Sequence, residues 1–439
     1  MLINFQALGC RLNEAELESW ASEFMQRGHQ VTTASDEADV VVFNSCAVTA
    51  RAERKSRQQI GRLQRGNPQA RLVVTGCHAS LNSDAVKDYP GVDLVIGNRD
   101  KEALVERTLD LLEDTSPVIG GIGEAQNALL LRGRHRAFIK VQDGCRYRCT
   151  YCIVTLARGD ERSRSPGDIL AEINRLYAQG VHEIALTGVH VGGYGSDIDS
   201  SLYALLGEIL EHTRIPRIRL ASVEPWDLPR NFFALFDDPR LMPHMHLPLQ
   251  SGCDSVLRRM ARRCKTAEFA RLVERARGAV PRFNVTTDLI TGFPGETEQE
   301  WRRTLKFVES VGFGHMHIFP FSARSGTKAA RLPDQVDAAT KKARSREMHD
   351  LAAQMKQREL ELHLGTRARV LWEQRLNDDS GPWVGYTPHY HKVQSRDANL
   401  AASTISEVGF DALTPEGSML VGRPRPEVQL ADMLHGSKA

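Results

Sequence analysis

The sequence predicts an α/β protein in three parts: an amino-terminal parallel α/β sheet domain, a central full or partial (β/α) barrel, and a small carboxy-terminal all-β barrel. Three observations predict it. Over the first 125 or so residues, short apolar strand signals alternate with amphipathic helix signals. From Arg136 the alternation resumes in several βα repeats. After Leu364 the texture changes to short strands punctuated by Gly, Pro and Asp. The expected divisions are 1–125, 131–364 and 365–430.

Each element follows in order. LINFQAL reads as a strand. Glu14 to Arg27 reads as a helix, with Leu17, Trp20, Ala21 and Phe24 on one face and Gly28 as its stop. ADVVVF is a buried strand, and Ala52 to Arg65 is a polar helix ending before Gly66-Asn67-Pro68. RLVVTG and VDLVIG are a third and fourth strand, so the sheet is parallel. Asp114 to Asn127, with Pro117, Gly120, Gly121 and Gly123, reads as a linker. AFIKVQ opens the central part, and Ile169, Ile173, Leu176 and Tyr177 stripe a helix that stops at Gly180. EIALTGV, RIRLASV, HMHLPL, NVTTDLI and HMHIFPF are further strands. RARVLWEQ, PWVGYT, HKVQS, STISEVGF and SMLVGRP supply the last barrel.

The composition, 41% hydrophobic and 26% charged, suits a soluble globular protein. The formal net charge of +2 neither demands nor excludes nucleic acid. No apolar run is long enough to cross a bilayer, so no membrane association is expected. The start MLINFQALGC lacks a basic segment ahead of an apolar one, so a secretory signal is not expected. A cytoplasmic location is expected. The eight cysteines are then expected to bind metal where they cluster rather than to form disulfides.

Cys145, Cys149 and Cys152 follow the strand AFIKVQ on one loop. Structural zinc wants four ligands, and no fourth lies nearby: His135 is ten residues upstream and His190 beyond the next helix. Three thiolates on a four-iron cluster leave one iron open. Cys10, Cys46 and Cys77 are far apart in sequence, yet each ends a strand: QALGC, VVFNSC and LVVTGC. The carboxyl ends of neighbouring parallel strands converge on one crevice, so the three thiols should gather there. A second three-thiolate cluster site is expected, against the alternative of buried strand-end cysteines. Cys253 and Cys264 fit neither trio and read as incidental.

The Cys145–Cys152 spacing, with an aromatic residue (Tyr151) before the last cysteine, resembles the signature of radical S-adenosylmethionine enzymes. The whole combination resembles the radical S-adenosylmethionine methylthiotransferases almost from end to end. ALGCRLN, FNSCAVTARAERKSRQ and VVTGCHA resemble their amino-terminal domain, and VQDGCRYRCTYCIVTLARGDERSR their radical motif. LTGVHVGGYG, HMHLPLQSGCD, TTDLITGFPGETEQE and FPFSARSGTKAA resemble their barrel strands and loops. GYTPHYHKV resembles their terminal RNA-binding barrel, the TRAM domain. Among the branches, Gly9-Cys10-Arg11-Leu12-Asn13, LTGVH and AERKSRQ resemble the one acting on threonylcarbamoyladenosine in tRNA. The others act on isopentenyladenosine in tRNA or on an aspartate of a ribosomal protein. Ala7, Cys253 and Cys264 depart from the usual pattern without touching either trio.

The resemblance implies two [4Fe-4S] clusters and S-adenosylmethionine as cofactors. The cluster on Cys145, Cys149 and Cys152 would cleave S-adenosylmethionine to a 5′-deoxyadenosyl radical. The one on Cys10, Cys46 and Cys77 would supply or carry the transferred sulfur. The product is a methylthio group on C2 of the adenine 3′-adjacent to the anticodon. Partners implied are tRNA and an electron donor such as flavodoxin or ferredoxin, with a monomer favoured.

Other residues stay open between two roles. Tyr151 sits at the cofactor loop. Glu224 in SVEP ends a strand and either contacts the cofactor or is a satisfied loop residue. Gly292 and Gly295 in ITGFPGE either admit backbone to the adenine or form an ordinary turn, and Thr187-Gly188 has the same status. Arg162 and Arg164 either meet the cofactor carboxylate or lie in a solvated turn. Gln250 touches substrate or a neighbouring loop. Arg51, Lys55 and Arg62 form one basic stripe, and Arg258, Arg259, Arg262 and Arg263 another; each contacts phosphate or is a solvated face. Trp383, Tyr386 and Tyr390 are placed to stack on bases, and Trp372 in the core. A non-catalytic, metal-stabilised RNA-binding protein is the remaining alternative.

Overall fold

The computed structural model describes residues 1–113, 135–376, 380–414 and 419–421. The expected linker from Asp114 to Asn127 and the end of the expected last part lie outside these residues.

The amino-terminal part holds β1 (Leu2–Ala7), α1 (Arg11–Gln26), β2 (Gln30–Thr32), β3 (Val40–Ser45), α2 (Ala50–Gly66), β4 (Arg71–Gly76), α3 (Cys77–Leu81), α4 (Ser83–Lys87), β5 (Leu94–Ile96) and α5 (Leu104–Glu113). Its sheet runs β2-β1-β3-β4-β5, with every pair parallel. Alternate residues go to opposite faces. Ile3, Phe5, Val40, Val42 and Val73 pack on Leu17, Trp20 and Phe24 of α1. Val41, Phe43, Leu72 and Val74 pack on Ile60 and Leu63 of α2. Thr49 caps α2 by accepting a hydrogen bond from Ala52 N at 3.1 Å. The short edge strand β2 escapes sequence reading because its three residues carry no alternating pattern.

The central part holds β6 (Ala137–Lys140), β7 (Gln142–Asp143), α6 (Val154–Arg158), β8 (Arg162–Ser163), α7 (Pro166–Ala178), β9 (Glu183–Thr187), α8 (Leu202–His212), β10 (Arg217–Leu220), β11 (His244–His246), α9 (Asp254–Arg259), α10 (Thr266–Ala279), β12 (Asn284–Thr291), α11 (Glu298–Val311), β13 (His315–Pro320) and α12 (Ala338–Glu361). Parallel ladders join β6-β9-β10 and β11-β12-β13. Parallel bridges Ile218–Leu241 and Ser222–His246 connect the two runs. Among the described residues no pairing returns from β13 to β6, so the barrel is partial. Ile139, Ile184, Leu186, Ile218, Leu220, Met245, Val285 and Leu289 face outward into one core with the helices. The alternate residues therefore face inward, and they are largely polar: Lys140, Arg219, His244, His246, Thr286, Asp288, His315 and His317.

The last part is a closed barrel of β14 (Arg367–Arg375), β15 (Trp383–Tyr386), β16 (Lys392–Ser395), β17 (Ile405–Leu413) and β18 (Met419–Val421), in the order β14-β15-β16-β18-β17. Trp372, Val370, Val393 and Phe410 fill it, together with Leu360 from the end of α12. Trp372 is core, as its strand position predicts. The turn between β15 and β16 is inserted into the partial barrel at the amino ends of its strands. Arg219 donates to Thr387 O at 2.7 Å and Pro388 O at 2.8 Å, and Asn284 Nδ2 to His389 O at 2.7 Å. No helix among the described residues is long and apolar enough to cross a membrane.

Candidate active site with two cysteine trios

β1, β3 and β4 are adjacent in the sheet, and Cys10, Cys46 and Cys77 follow their carboxyl ends. With strands ~4.8 Å apart, such positions lie within about 10 Å of one another. The thiols are close enough that Cys77 and Cys10 both push up the pKa of Cys46. Cys10 is the N-cap of the sixteen-residue α1, where the helix dipole favours a thiolate. Gly9, at φ +116°, explains the tight approach. A Cβ there would sit 2.7 Å from Cys46 Sγ, so a side chain would fill the space the thiols share.

Cys145, Cys149 and Cys152 occupy the loop after β6 and β7. The loop is held from three sides. Cys145 N donates to Gly159 O at 3.0 Å, Thr150 N to Met260 O at 3.0 Å, and Ala329 N to Thr150 O at 2.8 Å. These three thiols also act on one another. Burial pushes Cys145 up to about 12, and Cys46 and Cys152 to about 11. Cys10 and Cys149 move the same way from burial. Crowded buried thiols keep their protons unless a cation replaces them. Two trios of free cysteines, each without a fourth protein thiol, fit iron clusters that keep one iron open.

Arg158, at the end of α6, ties the neighbours of Cys10 to Asp143 and was not singled out by sequence reading. Its buried guanidinium donates to Asn13 Oδ1 at 2.7 Å, and to Glu16 Oε1 and Asp143 Oδ1 at 2.9 Å. Its charge bears on Cys10 and Cys77. Asn13 in turn accepts from Cys10 Sγ at 3.6 Å. Lys101 and Lys140 complete the network, Lys101 reaching Glu16 and both lying 3.1 Å from Asp143. Asn98 links Cys77 at 3.8 Å to Ala157 O at 2.8 Å. Burial alone would raise the Glu16 pKa, but Arg158 and Lys101 hold it at about 2.

The other expected residues divide. Glu224 accepts from Arg262 at 2.8 Å, and both bear on Cys149 and Cys152. Tyr151 is half-buried at the same place, near Arg262 and Cys149. Gly188 packs on Gln142, whose backbone oxygen would stand 2.9 Å from a Cβ. Gly292, at φ +69°, faces Lys341 of α12 where its Cβ would be, and Glu296 accepts from its N–H at 2.8 Å. Arg164 is tied to Glu172 at 2.6 Å and Lys140 O at 2.8 Å, and Arg162 reaches Asn98 O at 3.5 Å along the seam between the first two parts. Gln250 is nearly buried in a left-handed conformation, φ +73°. Arg51, Lys55 and Arg62 stay exposed. Arg259 pairs with Glu300 at 2.7 Å, Arg262 covers Trp226 and Arg263 covers Tyr147, and Arg258 and Arg263 are the exposed members of that patch. Cys253 and Cys264 are buried away in apolar clusters.

The expectation for Tyr386 and Tyr390 needs correction. They stack on each other at 5.0 Å, and Tyr390 stacks on His244 at 4.9 Å. Arg11, Arg136 and Arg219 surround Tyr390, whose hydroxyl accepts from Arg11 at 2.9 Å. The aromatic faces already have partners, so these residues join the barrels rather than wait for bases. Trp383 is half-buried, with Arg375 over its ring.

On the inner face of β11–β13, His246 Nε2 lies 3.1 Å from Asp288, and His317 joins them. The charge of Arg11 acts on His317 and that of Arg262 on Asp288. A neighbour of Cys10 and a neighbour of Cys149 are thus both close enough to this polar surface to act on it. Neither the histidines nor Asp288 carries a local sequence signal. Only their shared inward register reveals them.

Residues 2–97 match the family model described as uncharacterized protein family UPF0004, and residues 139–308 the radical SAM superfamily. The chain is 35% identical over 403 residues to threonylcarbamoyladenosine tRNA methylthiotransferase MtaB of Bacillus subtilis, covering 89% of each chain. The chain belongs to the radical SAM methylthiotransferase family. The methylthiotransferase is also 36% identical over 395 residues to MtaB of Thermotoga maritima, covering 89% of this chain and 90% of that one. It is 33% identical over 420 residues to tRNA-2-methylthio-N(6)-dimethylallyladenosine synthase of Oceanobacillus iheyensis, covering 91% and 80%. Among solved structures, the radical S-adenosylmethionine methyltransferase TsrM of Kitasatospora setae matches with a TM-score of 0.54 at 16% identity, covering 73% and 74%. That likeness supports the fold alone. By family, the protein is a transferase that uses S-adenosylmethionine and [4Fe-4S] clusters.

Proposed function

We propose that this methylthiotransferase places a methylthio group on C2 of N6-threonylcarbamoyladenosine in tRNA, 3′-adjacent to the anticodon. The observation that supports it is a pair of three-cysteine sets, with Arg158 tying Asn13 and Glu16 beside Cys10 to Asp143 beside Cys145. In this reading Cys145, Cys149 and Cys152 hold the radical-generating cluster, and Cys10, Cys46 and Cys77 the sulfur-carrying one. When bound, these groups supply a carbon-centred radical and the sulfur to be transferred. The chain's own residues do the rest. Glu224 and Arg262 border the first trio, Arg158 and Asn13 fix the second against it, and Tyr390 closes the barrel floor against water. We take 1–125, 131–364 and 365–430 as the working domains, and a flavodoxin- or ferredoxin-type donor, a monomeric state and the cytoplasm as the working context.

Arg11 supports the threonylcarbamoyl substrate over the dimethylallyl one. Arg136, Arg217 and Arg219 share Glu183, and Arg262 has Glu224. Arg11 forms no carboxylate pair among the described residues; it lies against the Tyr390 hydroxyl and the Phe138 and Tyr390 rings. A cation with no acid paired to it among the described residues, and close enough to act on His317, suits the carboxylate of a threonylcarbamoyl group and gains nothing from a hydrocarbon. The test is nucleoside mass spectrometry of tRNA after reaction with the reconstituted enzyme, S-adenosylmethionine and a reductant. Gain of a methylthio group by threonylcarbamoyladenosine is expected. Gain only by dimethylallyladenosine, or only by a ribosomal protein, would refute the assignment.

A further inference from the structure

Among the described residues, three groups of histidine, cysteine and acidic side chains bring ligand atoms together. Two belong to the site already described. His190 is hydrogen-bonded through both ring nitrogens, to Glu161 and Asp227, beside Cys145, and His246, Asp288 and His317 line the inner surface. The third lies elsewhere, at the junction of α12 with the terminal barrel. Glu359 is on the last turn of α12, His363 follows in the turn beyond it, and His391 comes from the loop between β15 and β16.

The two Nε2 atoms of His363 and His391 are 3.2 Å apart, and Glu359 Oε1 is 3.6 Å from the first and 3.4 Å from the second. Tetrahedral zinc, with bonds of about 2.0–2.1 Å, separates its ligand atoms by roughly 3.3 Å. As a hydrogen-bonded triangle the geometry is poor. Both distances to the carboxylate exceed the usual range, and each neutral imidazole has only one N–H to share among three converging lone pairs. Both histidines are buried, at 2% and 4% exposure. A neighbouring ring, His389, lies 5.0 Å from that of His363, and its buried Nδ1 has no hydrogen-bond partner.

We propose that Glu359, His363 and His391 bind one divalent transition-metal ion, with zinc favoured by the His2Glu donor set, and that the fourth position is taken by water or His389. The ion staples the last helix of the radical domain to the terminal barrel. It thereby fixes the Thr387–His391 turn that carries Tyr390 into the partial barrel. The site is independent of both cysteine trios and of the substrate assignment.

The test is metal analysis of the full-length, cluster-loaded protein. About one zinc per chain is expected beside the iron, lost in His363→Ala and in His391→Ala with the iron content unchanged. Cobalt(II) added to zinc-free protein should give the visible absorption of a tetrahedral site in the wild type and not in Glu359→Gln, which keeps the side-chain volume. Zinc that survives His363→Ala is held by thiols and counts against the proposal. Wild-type protein that keeps less than about a tenth of an equivalent after exposure to zinc, and shows no cobalt spectrum, overturns it.

Discussion

Arg158 stands six residues beyond Cys152, yet two of its three hydrogen-bond partners, Asn13 and Glu16, lie in the other domain. Replacing it with Met leaves Glu16 and Asp143 buried without their guanidinium. Such a loss typically costs about 3–5 kcal/mol, read as a lower denaturant midpoint, and the second trio should hold its iron less well. Arg11 makes a different prediction. Arg11→Gln should cut kcat/KM for tRNA bearing threonylcarbamoyladenosine by roughly 10–100-fold, the worth of a charge-assisted hydrogen bond. Weaker binding of the modified anticodon stem-loop should accompany it, with Arg11→Lys partly restoring both. Tyr390→Phe removes the hydroxyl contact but leaves the cation, so substrate preference should persist. Unchanged preference in Arg11→Gln would remove the basis for the carboxylate contact. At this scale little was legible in advance. Glu16 and Arg158 are ordinary helix residues in sequence, and only the packing of α1 on β6 and of α3 on α6 makes them partners.

At the scale of elements the sequence says more. β1, β3 and β4 each read as an apolar strand ending in cysteine, and the parallel order makes those ends neighbours. The short polar edge strand β2 had no such pattern. The terminal aromatics show the limit: a tyrosine in a β-turn looks the same whether it awaits a base or already lies among Arg11, Arg136 and Arg219. Gly292 is similar, since a turn glycine and a ligand-contacting glycine share one signature. The turn after β1 gives a sharp test. Gly9→Ala puts a methyl into Cys46 Sγ and forces a positive φ on a residue with a side chain. Anaerobically reconstituted Gly9→Ala should lose about half its iron yet still cleave S-adenosylmethionine. Full iron and full methylthio transfer would show that the thiols of this end need no such clearance.

The whole molecule is three parts closed on one another by charge. The first seam is the Glu16, Asp143, Lys101 and Arg158 network; the second is the β15–β16 turn on Arg219 and Asn284. The first seam carries a pH signature. Glu16 is held near 2, below its ordinary 4.5, so its stabilisation is complete above the higher value and is lost as pH falls toward the lower one. Asp143 shifts in the same direction. The cluster-free chain should therefore lose its interdomain contact in acid across that window, seen as easier proteolysis near residue 113, and Glu16→Gln should flatten the dependence. The expected three-part order follows directly from runs of strand and helix, whereas the way the last barrel plugs the middle one depends on tertiary contacts no local pattern carries.

The most direct measurement is the iron content and chemistry of two triple variants. The account predicts about eight irons in the wild type and about half in each variant. Replacing Cys145, Cys149 and Cys152 with Ala should abolish cleavage of S-adenosylmethionine. Replacing Cys10, Cys46 and Cys77 should leave cleavage but end methylthio transfer. Methylthiolated nucleoside formed by the second variant, or a full iron complement in either, would contradict it.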